Sequence, residues 1–113
     1  VNEAGRTFLE EIGKSMPRAV NIVQNYPNPF NPSTNITFEV NTVDGMKAPV
    51  NLTVYTVRGR MIRSLVDENK SPGIYTVRWD GKDERGLTVE SGIYLFRLQS
   101  GKDVSIRKGV MTK

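Results

Sequence analysis

The feature that most constrains this chain is a period of two in its apolar residues, which sets in near Val20 and returns in segment after segment to the carboxyl end. From Thr34 to Val40, Ile36, Phe38 and Val40 fall on one side and Asn35, Thr37 and Glu39 on the other. That is the pattern of a strand with one buried and one wet face. The same alternation predicts a first strand beginning with Val20 and Ile22 and another across Val50, Leu52 and Val54, from which the Arg58-Gly59 reversal leads into a hairpin partner over Met61 to Val66. It returns over Ile74 to Trp79, where Tyr75, Val77 and Trp79 share a face; Ile93 to Leu98 and Val104 to Met111 are read as the last two strands. In the last of these, Val104, Ile106 and Val110 share a face.

Turn signals punctuate the runs: Asp44-Gly45, Arg58-Gly59, Pro72-Gly73, Asp80-Gly81 and Gly101. No connection after Thr34 is long enough for a helical crossover, so neighbouring strands are expected to be antiparallel. The expected fold class is therefore all-β, an antiparallel β-sandwich of about seven strands.

The beginning of the chain reads differently. Ala4, Phe8 and Ile12 recur every four residues, with Glu10, Glu11 and Lys14 on other faces, and Pro17 ends the pattern. This is the spacing of a short amphipathic helix, with too few turns to stand without a partner surface. Residues 1–19 are read as a linker or the end of a preceding domain, and 20–113 as one domain. Because the chain opens at Val1 and no secretion-signal pattern lies nearby, a fragment or processed product is expected.

Composition closes off much chemistry. With neither cysteine nor histidine, the chain has no disulfides, thiol nucleophiles, thiolate zinc sites or imidazole-dependent triads. The net charge of +4, from 16 basic and 12 acidic residues spread along the sequence, argues against a nucleic-acid binder. No apolar run approaches the roughly 20 residues that span a bilayer. No cofactor is expected.

Several segments invite a functional reading beside a structural one. The Asn25–Pro32 run holds three prolines among asparagines; it is either a rigid entry loop, anchored by Tyr26 and Phe30, or a polyproline-type ligand. Asp80, Asp83 and Glu84 in DGKDERG are the best calcium candidates, but their spacing is not that of a helix-loop-helix site, and Lys82 and Arg85 sit among them. A charged β-turn is favoured there. Neither the Asp80–Asp83 pair nor Ser91 with a lysine has a supporting catalytic motif, so the domain is expected not to be an enzyme. Arg58, Arg60, Arg63, Arg97, Arg107 and Lys108 offer a cationic surface to anionic glycans or an acidic receptor, or else remain solvated against aggregation. Trp79, Tyr75, Tyr94 and Phe96 form either a glycan platform or part of the core, and their alternation favours the core.

Taken together, NYPNPFNPST from Asn25, VNLTVYTVRGRMIRSLVD from Val50, GIYTVRWDGKDERG from Gly73 and SGIYLFRLQSGKDVSIRKGVMTK from Ser91 resemble one family. It is the carboxy-terminal type A sorting domain of the bacterial type IX secretion system, an immunoglobulin-like fold related to that of the flagellar hook-capping protein. The resemblance implies a domain at the end of a larger cargo protein. After export to the periplasm, the outer-membrane translocon reads it and carries the protein to the cell surface or the medium. A sortase-like surface peptidase then commonly removes it, and the cargo is released or attached to anionic lipopolysaccharide.

The family's terminal signal maps onto Gly92, Tyr94, Gly101, Lys108 and Lys113, while Gly109 stands where a larger apolar residue is usual and is expected to weaken the last strand. An outermost terminal strand is expected to offer its backbone to a receptor by strand addition, with Lys108 and Lys113 adding charge complementarity. Two other functions stay open: a structural accessory module of a surface enzyme or flagellar-type assembly, and a glycan-binding module.

Overall fold

The computed structural model describes residues 19–42 and 44–113. The helical pattern over residues 1–17 and all but Ala19 of the linker read over 1–19 lie outside the described residues. Seven strands follow in order: β1 (Val20–Tyr26), β2 (Thr34–Val40), β3 (Ala48–Thr56), β4 (Met61–Lys70), β5 (Gly73–Trp79), β6 (Gly92–Ser100) and β7 (Asp103–Met111). They form a three-stranded sheet, β1-β2-β5, and a four-stranded sheet, β4-β3-β6-β7, with every named pairing antiparallel. The all-β sandwich expected from the alternation is the fold observed.

The inward faces are the apolar ones read from the sequence. Val20 and Ile22, then Ile36, Phe38 and Val40, meet Val50, Leu52 and Val54 and the Tyr94, Phe96 and Leu98 row of β6 in one core. Trp79 closes that core at one end, fully buried, with Phe30, Tyr94 and Phe96 around it at ring-centroid distances of 5.6, 5.4 and 5.8 Å. Tilted and edge-on ring pairs of this kind add to the stabilisation that burial alone gives.

Two strands depart from expectation. β4 continues past Val66 to Lys70, where the apolar period has ended, because Ala48 to Asn51 of β3 go on pairing with it. Glu68 and Lys70 there form an ion pair at 2.8 Å, and the Lys70 ammonium lies 4.4 Å from the Tyr75 ring centroid. In β7, Val104, Ile106 and Val110 do share a face, but it is the outer one. Ser105, Gly109 and Met111 are the residues that turn inward.

Candidate functional site at the carboxyl-terminal hairpin

β6 lies between β3 and β7, so the terminal hairpin is built into the sheet. Gly101 and Lys102 form its two-residue turn, closed by the Ser100–Asp103 pair, and Gly101 has φ +58°, a left-handed backbone that glycine adopts at little cost. Gly92 opens β6 at φ +152° with open space where a side chain would begin. The Tyr94 hydroxyl donates to the Glu90 carbonyl at 2.6 Å, and burial pushes its phenol pKa up, with the Glu90 charge adding to the shift.

β7 is an edge strand, yet much of its outer edge is occupied. The Lys108 carbonyl accepts from the side-chain amides of Asn25 and Asn28 at 3.3 and 3.4 Å, and the Val110 amide donates to Asn28 Oδ1 at 2.9 Å. Phe30 then pairs as a short parallel bridge: its amide donates to Val110 O at 2.8 Å, and its carbonyl accepts from Thr112 N at 2.9 Å. Further along, Ile22 N donates to Ser105 Oγ, and Arg107 Nη2 to Val23 O. The expectation that this strand offers its backbone for strand addition is therefore corrected for Lys108 to Thr112. Those groups are held by a loop about 80 residues away, and a bond already made is costly to exchange.

Below the bridge, parts of three of the four motif segments meet. Phe30 comes from the proline-asparagine loop, Trp79 and Gly81 from the β5 end, and Phe96, Gly109 and Met111 from the terminal hairpin. A Cβ on Gly109 would stand 2.5 Å from Phe96 Cε2 and 3.2 Å from Phe30 Cε1. Glycine there does not weaken the strand, as the sequence suggested; it lets β7 lie flat on the two rings. Gly81, at φ +77°, is likewise pressed on the Pro32 carbonyl, 2.5 Å from where a Cβ would be, and on Met111. Of the two proposed loop anchors, Phe30 is buried and Tyr26 is 71% exposed.

The structure brings Gly92, Tyr94 and Lys108 together, since Gly92 pairs with Met111, Tyr94 with Gly109, and Leu95 with Lys108. Lys113 extends from the same end. Gly101 sits at the opposite end of the hairpin, nine residues from Gly92, about 30 Å along a strand. Lys108 and Lys113 are exposed, and neither enters an ion pair among the described residues. Sequence reasoning missed Asn25 and Asn28, whose placement between turn-forming residues suggested local bonds instead of distant ones.

The other candidates resolve into structural roles. In DGKDERG, Asp80 Oδ1 accepts from Lys82 N, Asp83 Oδ1 from the amides of Arg85 and Leu87, and Glu84 Oε1 from Ser64 N. The bond from Leu87 above all holds the Asp83 carboxyl below its ordinary pKa, despite partial desolvation; the Arg85 amide and guanidinium lower it further. Arg63 reaches Asp80 at 3.4 Å. Among the described residues no group of three or more acidic, histidine or cysteine side chains is gathered to hold a metal ion. No helix among them is long and apolar enough to cross a membrane. Trp79 and Phe96 are fully buried and Tyr94 nearly so, so a glycan platform built on them is excluded.

The sequence model of the FlgD Ig-like domain matches residues 25–103. This chain belongs to the FlgD Ig-like domain family. No curated protein matches it. Among solved structures, the Ig-like domain is similar to dimeric latent PorU from Porphyromonas gingivalis, with TM-score 0.70 and 21% identity over 86% of this chain and 10% of that one. It is also similar to PorZ, described as an essential surface component of the type-IX secretion system of the same organism, with TM-score 0.52 and 19% identity over 80% and 11%. A β-glucosidase from Kluyveromyces marxianus contains a similar unit, with TM-score 0.52 and 16% identity over 94% and 17%. The Ig-like domain thus spans about a tenth of the first two proteins, and at these identities the likeness is one of fold.

Proposed function

We propose that this Ig-like domain is a non-catalytic sorting and anchoring domain, directing a larger exported protein through the bacterial type IX secretion system to the cell surface. The observation that carries the reading is the convergence of the motif segments: Phe30, Trp79, Phe96 and Gly109 form one packed pole with Lys108 at its rim. The likeness to PorU and PorZ supports it. In this reading residues 1–19 join the domain to its cargo, the outer-membrane translocon reads the folded terminal pole, and a sortase-like surface peptidase acts later. Recognition runs through exposed side chains, Lys108 and Lys113 first, because the adjoining backbone is already bonded.

The test is a reporter fused ahead of the full chain in a type IX-competent bacterium. The fusion is expected at the surface, and the Lys108→Glu/Lys113→Glu double variant in the periplasm. A wild-type fusion that stays in the periplasm overturns the sorting role; equal display of both overturns the role of the lysines. Point variants are needed because removing Gly92 to Lys113 would take out β6, an interior strand of its sheet. The β-glucosidase likeness favours a second reading, a structural accessory module. A parent protein that continues past Lys113 into another folded domain would favour it.

A further inference from the structure

Among the described residues the two open sheets leave four edge strands, β1, β5, β4 and β7. An uncovered edge is a template for a further strand, so folded proteins usually obstruct it. On β7, Asn28 and Phe30 occupy the backbone from Lys108 to Thr112. β1 carries a bulge between Ile22 and Gln24, and the backbone around it is engaged, Ala19 N by Asp103, Ile22 N by Ser105 and Val23 O by Arg107. β4 is held near its start by Glu84, whose amide donates to Ile62 O and whose carboxylate accepts from Ser64 N, and it ends in the polar run Asp67-Glu68-Asn69-Lys70.

β5 has none of these devices. Gly73 to Trp79 contains no proline, pairs with β2 in unbroken register, and makes no other backbone hydrogen bond among the described residues. Apolar surface lies along the same edge: Ile74 is 69% exposed, and Tyr75 and Val77, on the inward face, are only partly buried.

The strand is also complementary to itself. In an antiparallel pairing centred on Thr76, Tyr75 meets the partner's Val77 and Ile74 meets the partner's Arg78, so no like charges stand opposite one another. Glu39 of β2 lies beside Ile74. The partner's Arg78 is then two strand spacings from Glu39, about 10 Å between backbones, and its long side chain extends across Ile74 towards that carboxylate. Neither Arg78 nor Glu39 has an ion pair among the described residues. Two-fold symmetry makes the contact twice.

We infer that two copies of this chain join β5 to β5 about Thr76, forming one six-stranded sheet in the order β1-β2-β5-β5-β2-β1. The added strand takes up the free backbone groups and covers Tyr75 and Val77. β7 lies on the other side of the sandwich, beside β1, so Lys108 stays exposed in the pair. The inference does not rest on the sorting role, and its test involves no export.

Sedimentation equilibrium of the full chain at rising concentration is expected to shift from 12.7 kDa towards twice that mass. Thr76 is exposed and bonds only to the Thr37 hydroxyl, so Thr76→Lys sets two cations face to face without touching the core. That change, and Thr76→Glu likewise, is expected to weaken association at least tenfold. An equal mixture of the two variants should regain it, because opposite charges then meet across the pairing. Melting temperatures close to that of the unaltered chain keep loss of folding from imitating loss of pairing. A chain that stays monomeric at every concentration overturns the inference and leaves the edge to a strand of another protein. Association that neither variant weakens assigns the contact to a different surface, and a mixture that fails to recover overturns the register at Thr76.

Discussion

Gly109 lies against the ring of Phe96 so closely that a Cβ on residue 109 would fall 2.5 Å from Cε2 and 2.8 Å from Cζ. The ring is fully buried beside Trp79, so it has little room to retreat. Gly109→Ala is expected to cost about 1–3 kcal/mol, the usual range for overpacking a filled core. Urea unfolding followed by Trp79 fluorescence measures it. Combining it with Phe96→Leu should cost less than the sum of the two single changes, because the smaller side chain relieves the clash. Full additivity would show that the two positions do not touch.

Asn28 holds two backbone groups of β7, and its removal leaves the Val110 amide without its acceptor. Asn28→Ala is expected to cost about 1 kcal/mol, a typical net value for a hydrogen bond lost at a partly wet edge. Hydrogen exchange should locate the effect, with the Val110 amide speeding up more than amides of β3. Unchanged exchange at Val110 would mean that another group holds the edge.

Trp79 is the hub of the ring cluster. Replacing it by alanine is expected to cost about 3–5 kcal/mol, as large-to-small changes at buried aromatics do. Circular dichroism melting would show it. A Trp79→Ala protein with unchanged melting would contradict the buried position.

The Tyr94 phenol has its pKa raised by burial, so folding favours the neutral form. Its contribution is fully present below the ordinary phenol value of 10.0 and is lost as pH rises from there through the folded value. Tyr94→Phe should flatten that alkaline loss. At neutral pH it should cost about 1 kcal/mol through the missing bond to Glu90. Melting temperatures recorded from neutral to alkaline pH would test both parts.

Asp83 has the opposite sign. Its carboxyl pKa is lowered, chiefly by the Leu87 amide, so its contribution is present above the ordinary value of 3.8 and lost as pH falls through the folded one. Asp83→Asn should make the acid limb of the stability curve shallower. An unchanged acid limb would show that the turn does not depend on the charge.

The period of two in Ile36, Phe38 and Val40, or in Tyr94, Phe96 and Leu98, was enough to place strands and inward faces. Alternation is a local property, and burial of one sheet face follows from it directly. The turns at Gly59, Gly81 and Gly101 were legible for the same reason, since a left-handed backbone selects its residue on the spot. The far end of β4 was not, because its polar residues pair through backbone groups that carry no side-chain signal.

What the sequence by itself determined is therefore the set of strands, their inward faces in all but β4 and β7, and the reversals between them. Only the tertiary structure decided that Val104, Ile106 and Val110 face outward, that Gly109 is a packing requirement, and that Asn25 and Asn28 close the edge of β7. Each of these depends on a partner far away in the chain: the rings of Phe30 and Phe96 for Gly109, and backbone groups 80 to 83 positions away for the two asparagines. Local periodicity cannot express such a contact. The space left by the opposing layer does.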